Sequence, residues 1–311
     1  MANVVTMAPR RKALASIKTG VLDTPLRVLI YGAEKVGKST FAAGAPSPVF
    51  LGAENGTERL DVARMQPENW AEAVSFVHDI ATEKHDFKTI VVDPLGWLEP
   101  MCWAAVTNGA GSIEDFGGGY GKGYLAALSH WREFLAALEK CWKRGMHVVL
   151  VGHAQVKPFQ NPEGLPYDRY ELVLNAKAAG LFRQWVDIVA FTRLEISTKK
   201  EKGDNRAKAI FTGMRLVHTS PCAAYDAGSR WKIPEELPLG WDQLFEAVRA
   251  EGDRPAELLK RVHEQAEELA DEKVTAFVAN FIKQHGSNAD RLAELSNRLA
   301  VKLDSRPQVQ P

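Results

Sequence analysis

Residues 26–42 read Leu-Arg-Val-Leu-Ile-Tyr-Gly-Ala-Glu-Lys-Val-Gly-Lys-Ser-Thr-Phe-Ala: an apolar run, a glycine-bounded loop and the start of a second structured stretch. The run begins after Pro25 and stops at Gly32, which suits a buried strand, and a helix is expected from Ser39 onward. Between them, Gly32 to Ser39 fit G-x-x-x-x-G-K-[ST]. Glycines let successive backbone N–H groups converge on phosphate oxygens, and a helix N-terminus adds a favourable partial positive charge. The spacing therefore predicts a nucleotide cradle made by Gly32, Ala33, Glu34, Lys35, Val36, Gly37, Lys38, Ser39 and Thr40. Lys38 is expected at the β- and γ-phosphates of ATP, and the Ser39 hydroxyl on Mg2+. A chance match falls in roughly one chain of this length in a hundred, and rarely at a strand-to-helix junction.

Further short β-rich runs follow at 49–53, 89–93, 147–152 and 188–193, separated by helical periodicity such as 124–144. Strands alternating with helices argue for an α/β fold with a mainly parallel central sheet flanked by helices. The ends of these strands supply the remaining candidates. Asp93 closes an apolar strand 55 residues after Lys38, where its carboxylate can join Ser39 in holding Mg2+. Glu54 ends the second strand before an Asn-Gly turn, either as a water-orienting base or as a solvated turn residue. His153 and Gln155 follow the fourth strand, as sensors of the γ-phosphate or as hydrogen-bonded turn residues.

The chain has 311 residues, with 39 basic against 39 acidic side chains. That neutrality excludes a wholly basic nucleic-acid binder, though not a local basic groove. Cys102, Cys141 and Cys222 give neither a disulfide framework nor a zinc spacing, so a reducing cytoplasm is expected. No apolar run reaches the length of a membrane span. A basic arm is expected over 1–24, the main domain over 25–252, a helical appendage over 253–304 and a loose end over 305–311. Within the main domain, the charged stretch 198–206 between two β-rich arms signals a late hairpin. In the appendage, Leu258, Leu259, Val262, Ala266 and Leu269 form the first of three apolar stripes.

Taken together, YGAEKVGKST, FLGAENG, TIVVDPLGWLE, VVLVGHAQ and SRWKIPEELP resemble the RecA-like P-loop ATPases of phages. That group is often described only as AAA-type nucleotide-binding proteins, and it includes single-strand-annealing recombinases. The resemblance covers roughly residues 26–250. It implies a RecA-type sheet, ATP and Mg2+ binding, and Glu54 in the place of the hydrolytic base. It further implies single-stranded DNA held by mobile loops of a homo-oligomer, here 115–124 and 156–170. The family tends to carry a lysine and, two residues on, an arginine that reaches a nucleotide across a subunit interface. Gly228-Ser229-Arg230 keeps only the arginine, so Arg230 is either an arginine finger or a surface residue packed on Trp231.

Tyr120, Lys122 and Tyr124 interleave aromatics with a cation on a glycine-rich backbone, suited to stacking bases and neutralising phosphate. Lys199, Lys200, Lys202 and Arg206, with Lys208, give the hairpin a basic surface that is either DNA-facing or merely solvated. The leading expectation is a slow, DNA-stimulated ATPase of phage-type DNA metabolism, in the host cytoplasm if phage-encoded, that promotes annealing or recombination. The alternative is a nucleotide-gated module whose helical tail recruits a partner such as a single-strand-binding protein. A third reading is a P-loop ATPase without a nucleic-acid role.

Overall fold

The computed structural model describes residues 24–52, 57–199, 208–286 and 288–305. In chain order the elements are β1 (Arg27–Gly32), α1 (Lys38–Ala43), β2 (Pro48–Gly52), β3 (Ala63–Met65), α2 (Trp70–Thr82), β4 (Thr89–Asp93), α3 (Leu98–Thr107) and α4 (Lys122–Lys143). They continue with β5 (His147–Phe159), β6 (Tyr167–Leu172), α5 (Ala176–Trp185), β7 (Ile188–Lys199), β8 (Lys208–His218), β9 (Gly228–Ser229), β10 (Glu236–Pro238), α6 (Trp241–Leu269), α7 (Glu272–His285) and α8 (Ala289–Asp304). By its contacts the chain forms two units, Thr24–Arg249 and a helical unit from Ala250 onward.

The first unit is a mixed α/β sheet flanked by helices. Its strand order is β10-β8-β7-β1-β5-β4-β2-β3, with β6 beside β5 and β9 beside β7. The neighbours from β7 through β1, β5, β4 and β2 to β3 pair parallel. The pairs β7·β8, β8·β10, β7·β9 and β5·β6 are antiparallel.

Side chains alternate faces along a strand, and here both faces are buried, which is why the strands read as unbroken apolar runs. Leu29, Tyr31, Ile90, Val92, Val148 and Leu150 face α2 to α5. Val28, Ile30, Val91, Val149 and Val151 face α1 and the start of α6. Trp131 of α4 joins the helical layer, with its ring 4.9 Å from Trp70 of α2 and 5.2 Å from Phe182 of α5. Cys102 and Cys141 are buried in that layer, and burial pushes both thiols up to about 12, so both pack as small apolar side chains.

The N-terminal edge of the sheet is tied by a buried charge network. The Arg27 guanidinium donates to Asp187 through Nε (3.0 Å) and Nη2 (2.6 Å). It lies between the rings of Trp142 (4.5 Å) and Trp185 (5.1 Å).

Several expected boundaries shift. β5 runs on to Phe159 and pairs with β6, so the segment 156–170, expected as a mobile loop, is largely a hairpin with Val156 opposite Tyr170 and Phe159 opposite Tyr167. β7 likewise continues to Lys199, merging a core strand and a hairpin arm, with a register shift between Leu194 and Ile196. α2 was not read from the sequence. At its start Asn69 caps the helix, accepting from the Glu72 N–H (3.0 Å), and the Glu72 carboxylate accepts from the Glu68 N–H (2.9 Å).

In the helical unit Val262, Ala266, Leu269, Val278, Leu295 and Leu299 form a small core. Asp271 caps α7, accepting from the backbone of Lys273 and Val274. Asn288 caps α8. Among the described residues no helix is long and apolar enough to cross a membrane.

Candidate functional site

Gly32, the last residue of β1, stands in register between His153 of β5 and Thr192 of β7. The loop that follows makes two left-handed excursions, at Lys35 (φ 59°) and Gly37 (φ 110°), before α1 begins at Lys38. Lys38 is only 5% exposed. Its ammonium is held inside the loop by the carbonyl oxygens of Gly32 (3.1 Å) and Ala33 (2.6 Å). A positive charge held this deep in the loop would attract an anionic ligand.

Asp93 ends β4 at the same edge of the sheet and is 6% exposed. Together the strand ends open on a cleft of about 830 Å3, within the range of small-molecule and cofactor sites. The loop contributes Glu34, Lys35, Gly37, Lys38, Ser39 and Thr40. Asp93, Pro94, Trp97 and His153 line a second side, and Thr57, Arg59, Leu60 and Arg215 complete it. Among the described lining residues Lys35, Lys38, Arg59 and Arg215 outnumber the carboxylates of Glu34 and Asp93, a balance that suits a polyanion.

Mg2+ fits this donor set. Ser39 and Asp93 are hard oxygen donors facing one cleft. A cation taking one or two protein oxygens, with the rest from phosphate and water, matches the preference of Mg2+.

Of the other sequence candidates, Glu54, Lys200, Lys202 and Arg206 lie outside the described residues, as does the side chain of Lys199. Gln155 lies on β5 just beyond the cleft, its Nε2 3.5 Å from the Leu172 carbonyl oxygen. Tyr120 is 99% exposed with φ 53°. Lys122 donates to the Gly117 carbonyl (3.0 Å). Tyr124 packs edge-on to Trp103 and donates to Glu114 (3.3 Å). These three residues do not line the cleft.

Arg230 lies elsewhere within the chain. Its Nη1 pairs with Asp187 Oδ1 at 3.2 Å and its N–H donates to the Asp187 carbonyl. Asp187 in turn donates its backbone N–H to Arg27, at the opposite end of β1 from the loop. Within one chain Arg230 therefore does not reach the phosphate loop, and its partner is Asp187.

Sequence reasoning missed Thr57, Arg59, Trp97 and Arg215. Trp97, 51% exposed beside Asp93, lies in the quoted TIVVDPLGWLE and was legible there as a candidate. Arg215 carries no local signal. Only the pairing of β8 with β7, and of β7 with β1, brings it to the loop.

A protein-family model described as an AAA domain matches residues 24–231. No curated protein matches the chain.

Proposed function

The chain belongs to the AAA-domain family of P-loop NTPases, and from that premise we propose that it is a RecA-like ATPase of DNA metabolism. The family indicates nucleotide binding and ATPase activity. The observation that carries the reading is the meeting of Lys38 and Asp93 in one cation-rich cleft at the strand ends.

In this reading the Lys38 ammonium turns from the loop carbonyls to the β- and γ-phosphates of ATP. Ser39 and Asp93 would hold Mg2+, which would supply charge neutralisation at the phosphates. Water attacks the γ-phosphorus as the bond to the β,γ-bridging oxygen breaks, and Glu54 takes the water proton. ADP and phosphate leave. Single-stranded DNA is the macromolecular ligand, met by exposed positions such as Tyr120 and by the charged turn between β7 and β8. The resemblance supports annealing or recombination in an oligomer as the outcome.

The deciding experiment measures ATP turnover and binding of labelled single-stranded DNA, at two salt concentrations, with and without ATP. Wild type is expected to hydrolyse ATP and to bind DNA more weakly at high salt. Lys38→Ala and Glu54→Gln are each expected to lower turnover about a hundredfold or more. Unchanged turnover in both variants would remove the mechanism, and no DNA binding in any condition would remove the DNA role.

A second reading rests on the helical unit. Phe277 is 55% and Val301 68% exposed, and α7 and α8 carry a cavity of about 250 Å3 lined by Val274, Phe277, Leu295 and Leu299. Exposed apolar side chains beside such a cavity suit a protein partner.

A further inference from the structure

Arg215 is an exposed arginine on β8, on the path from the charged hairpin to the phosphate loop. Its backbone is fixed from two sides: it pairs with Leu194 of β7, and its carbonyl accepts from the Leu239 N–H at 2.8 Å. From there the guanidinium extends over the loop, where Nη1 comes within 3.1 Å of the point a Cβ on Gly37 would occupy. It lines the same cleft as Lys38, Ser39, Asp93 and His153. Among the described residues no carboxylate forms an ion pair with it.

We propose that Arg215 is a cis-acting arginine of the nucleotide site, binding the terminal phosphate of a nucleoside triphosphate and stabilising its charge during transfer to water. The proposal rests on the nucleotide reading above and adds a residue to it. Four observations carry it: the fixed backbone on β8, the reach over Gly37, the shared cleft, and the absence of an acidic partner among the described residues. A planar, permanently charged fork suits phosphate oxygens better than a point charge does.

The test compares wild type, Arg215→Ala and Arg215→Lys in the full chain. Affinities for ADP and a non-hydrolysable ATP analogue are measured by competition against a fluorescent nucleotide, with single-turnover hydrolysis alongside and circular dichroism as the folding control. Arg215→Ala is expected to weaken the triphosphate about tenfold more than ADP and to lower turnover about a hundredfold or more. Arg215→Lys should recover part of the binding and little of the turnover, since lysine supplies the charge without the fork. Equal losses for both nucleotides, or no loss for either, would overturn the role of Arg215 while leaving the site intact. Wild-type protein that binds neither nucleotide would overturn the reading of the site, and this proposal with it.

Discussion

Gly37 shows how one residue sets both shape and chemistry. Its φ of 110° is a region that side chains with a Cβ rarely adopt. A methyl there would also lie 3.1 Å from Arg215 Nη1 and 3.2 Å from Leu239 Cδ2. Gly37→Ala is expected to cost about 1–2 kcal/mol of stability from backbone strain, read as a lower urea midpoint. Nucleotide affinity should fall about tenfold or more, because strain in the loop displaces groups that must converge on phosphate. Unchanged affinity would mean that the loop tolerates a different backbone path. Gly32 is constrained differently: its φ is unexceptional, and a Cβ would run into the Thr192 carbonyl oxygen of the neighbouring strand. Both glycines were legible because the motif fixes their spacing. Arg215 was not, because its place depends on the register of three strands.

Elements were legible where burial wrote a continuous pattern. β1 and β4 are covered on both faces, so their apolar runs end where the strands end. β5 and β7 outrun their apolar cores. Once past the covered layer, a strand pairing antiparallel needs only backbone groups, so polar residues such as Lys157 and Lys199 extend the ladder without extending the hydrophobic run.

The root of the β7–β8 hairpin carries a pH dependence of its own. His218 is buried, and its Nε2 accepts from Arg193 Nε at 3.1 Å while Nδ1 faces Glu236 at 3.3 Å. The ring also packs against Phe191 and Tyr225. Desolvation first, then the Arg193 cation, pull its pKa below the usual 6.5, with Glu236 opposing them. The folded chain thus holds this ring neutral, while the unfolded chain takes up a proton as pH falls through 6.5. The stabilisation is complete above that pH and declines below it, by at most about 1.4 kcal/mol per pH unit. Urea midpoints at pH 7.5 and 5.5 are expected to drop for wild type, and the drop should shrink in His218→Gln, whose amide oxygen can still accept from Arg193. An identical drop in both proteins would assign the effect to other groups.

At the scale of the whole molecule, opposite edges of the sheet do different work. At the N-terminal edge Arg27 and Arg230 both pair with Asp187. The C-terminal edge leaves its cations facing an open cleft, where strand ends can hold a ligand outside the sheet. Net neutrality says nothing of that asymmetry, which is why composition could exclude a basic tail without locating a site. All described residues lining the cleft belong to Thr24–Arg249. α6 spans the change of unit: Trp241, Leu244 and Val248 pack in the first core, and Val262, Ala266 and Leu269 in the second. Pro255, inside the helix, has no N–H for the Glu251 carbonyl, so the helix is weakest between those two sets of contacts. Deleting 253–311 is therefore expected to leave ATP affinity within about threefold of wild type, because the deletion removes no described residue lining the cleft. Fluorescent-nucleotide titration of the shortened chain checks this. A loss beyond tenfold would mean that the helical unit supports the site. Retained ATP and DNA binding, with loss of a protein partner captured by the full chain, would favour the recruiting module over an enzyme that needs its tail.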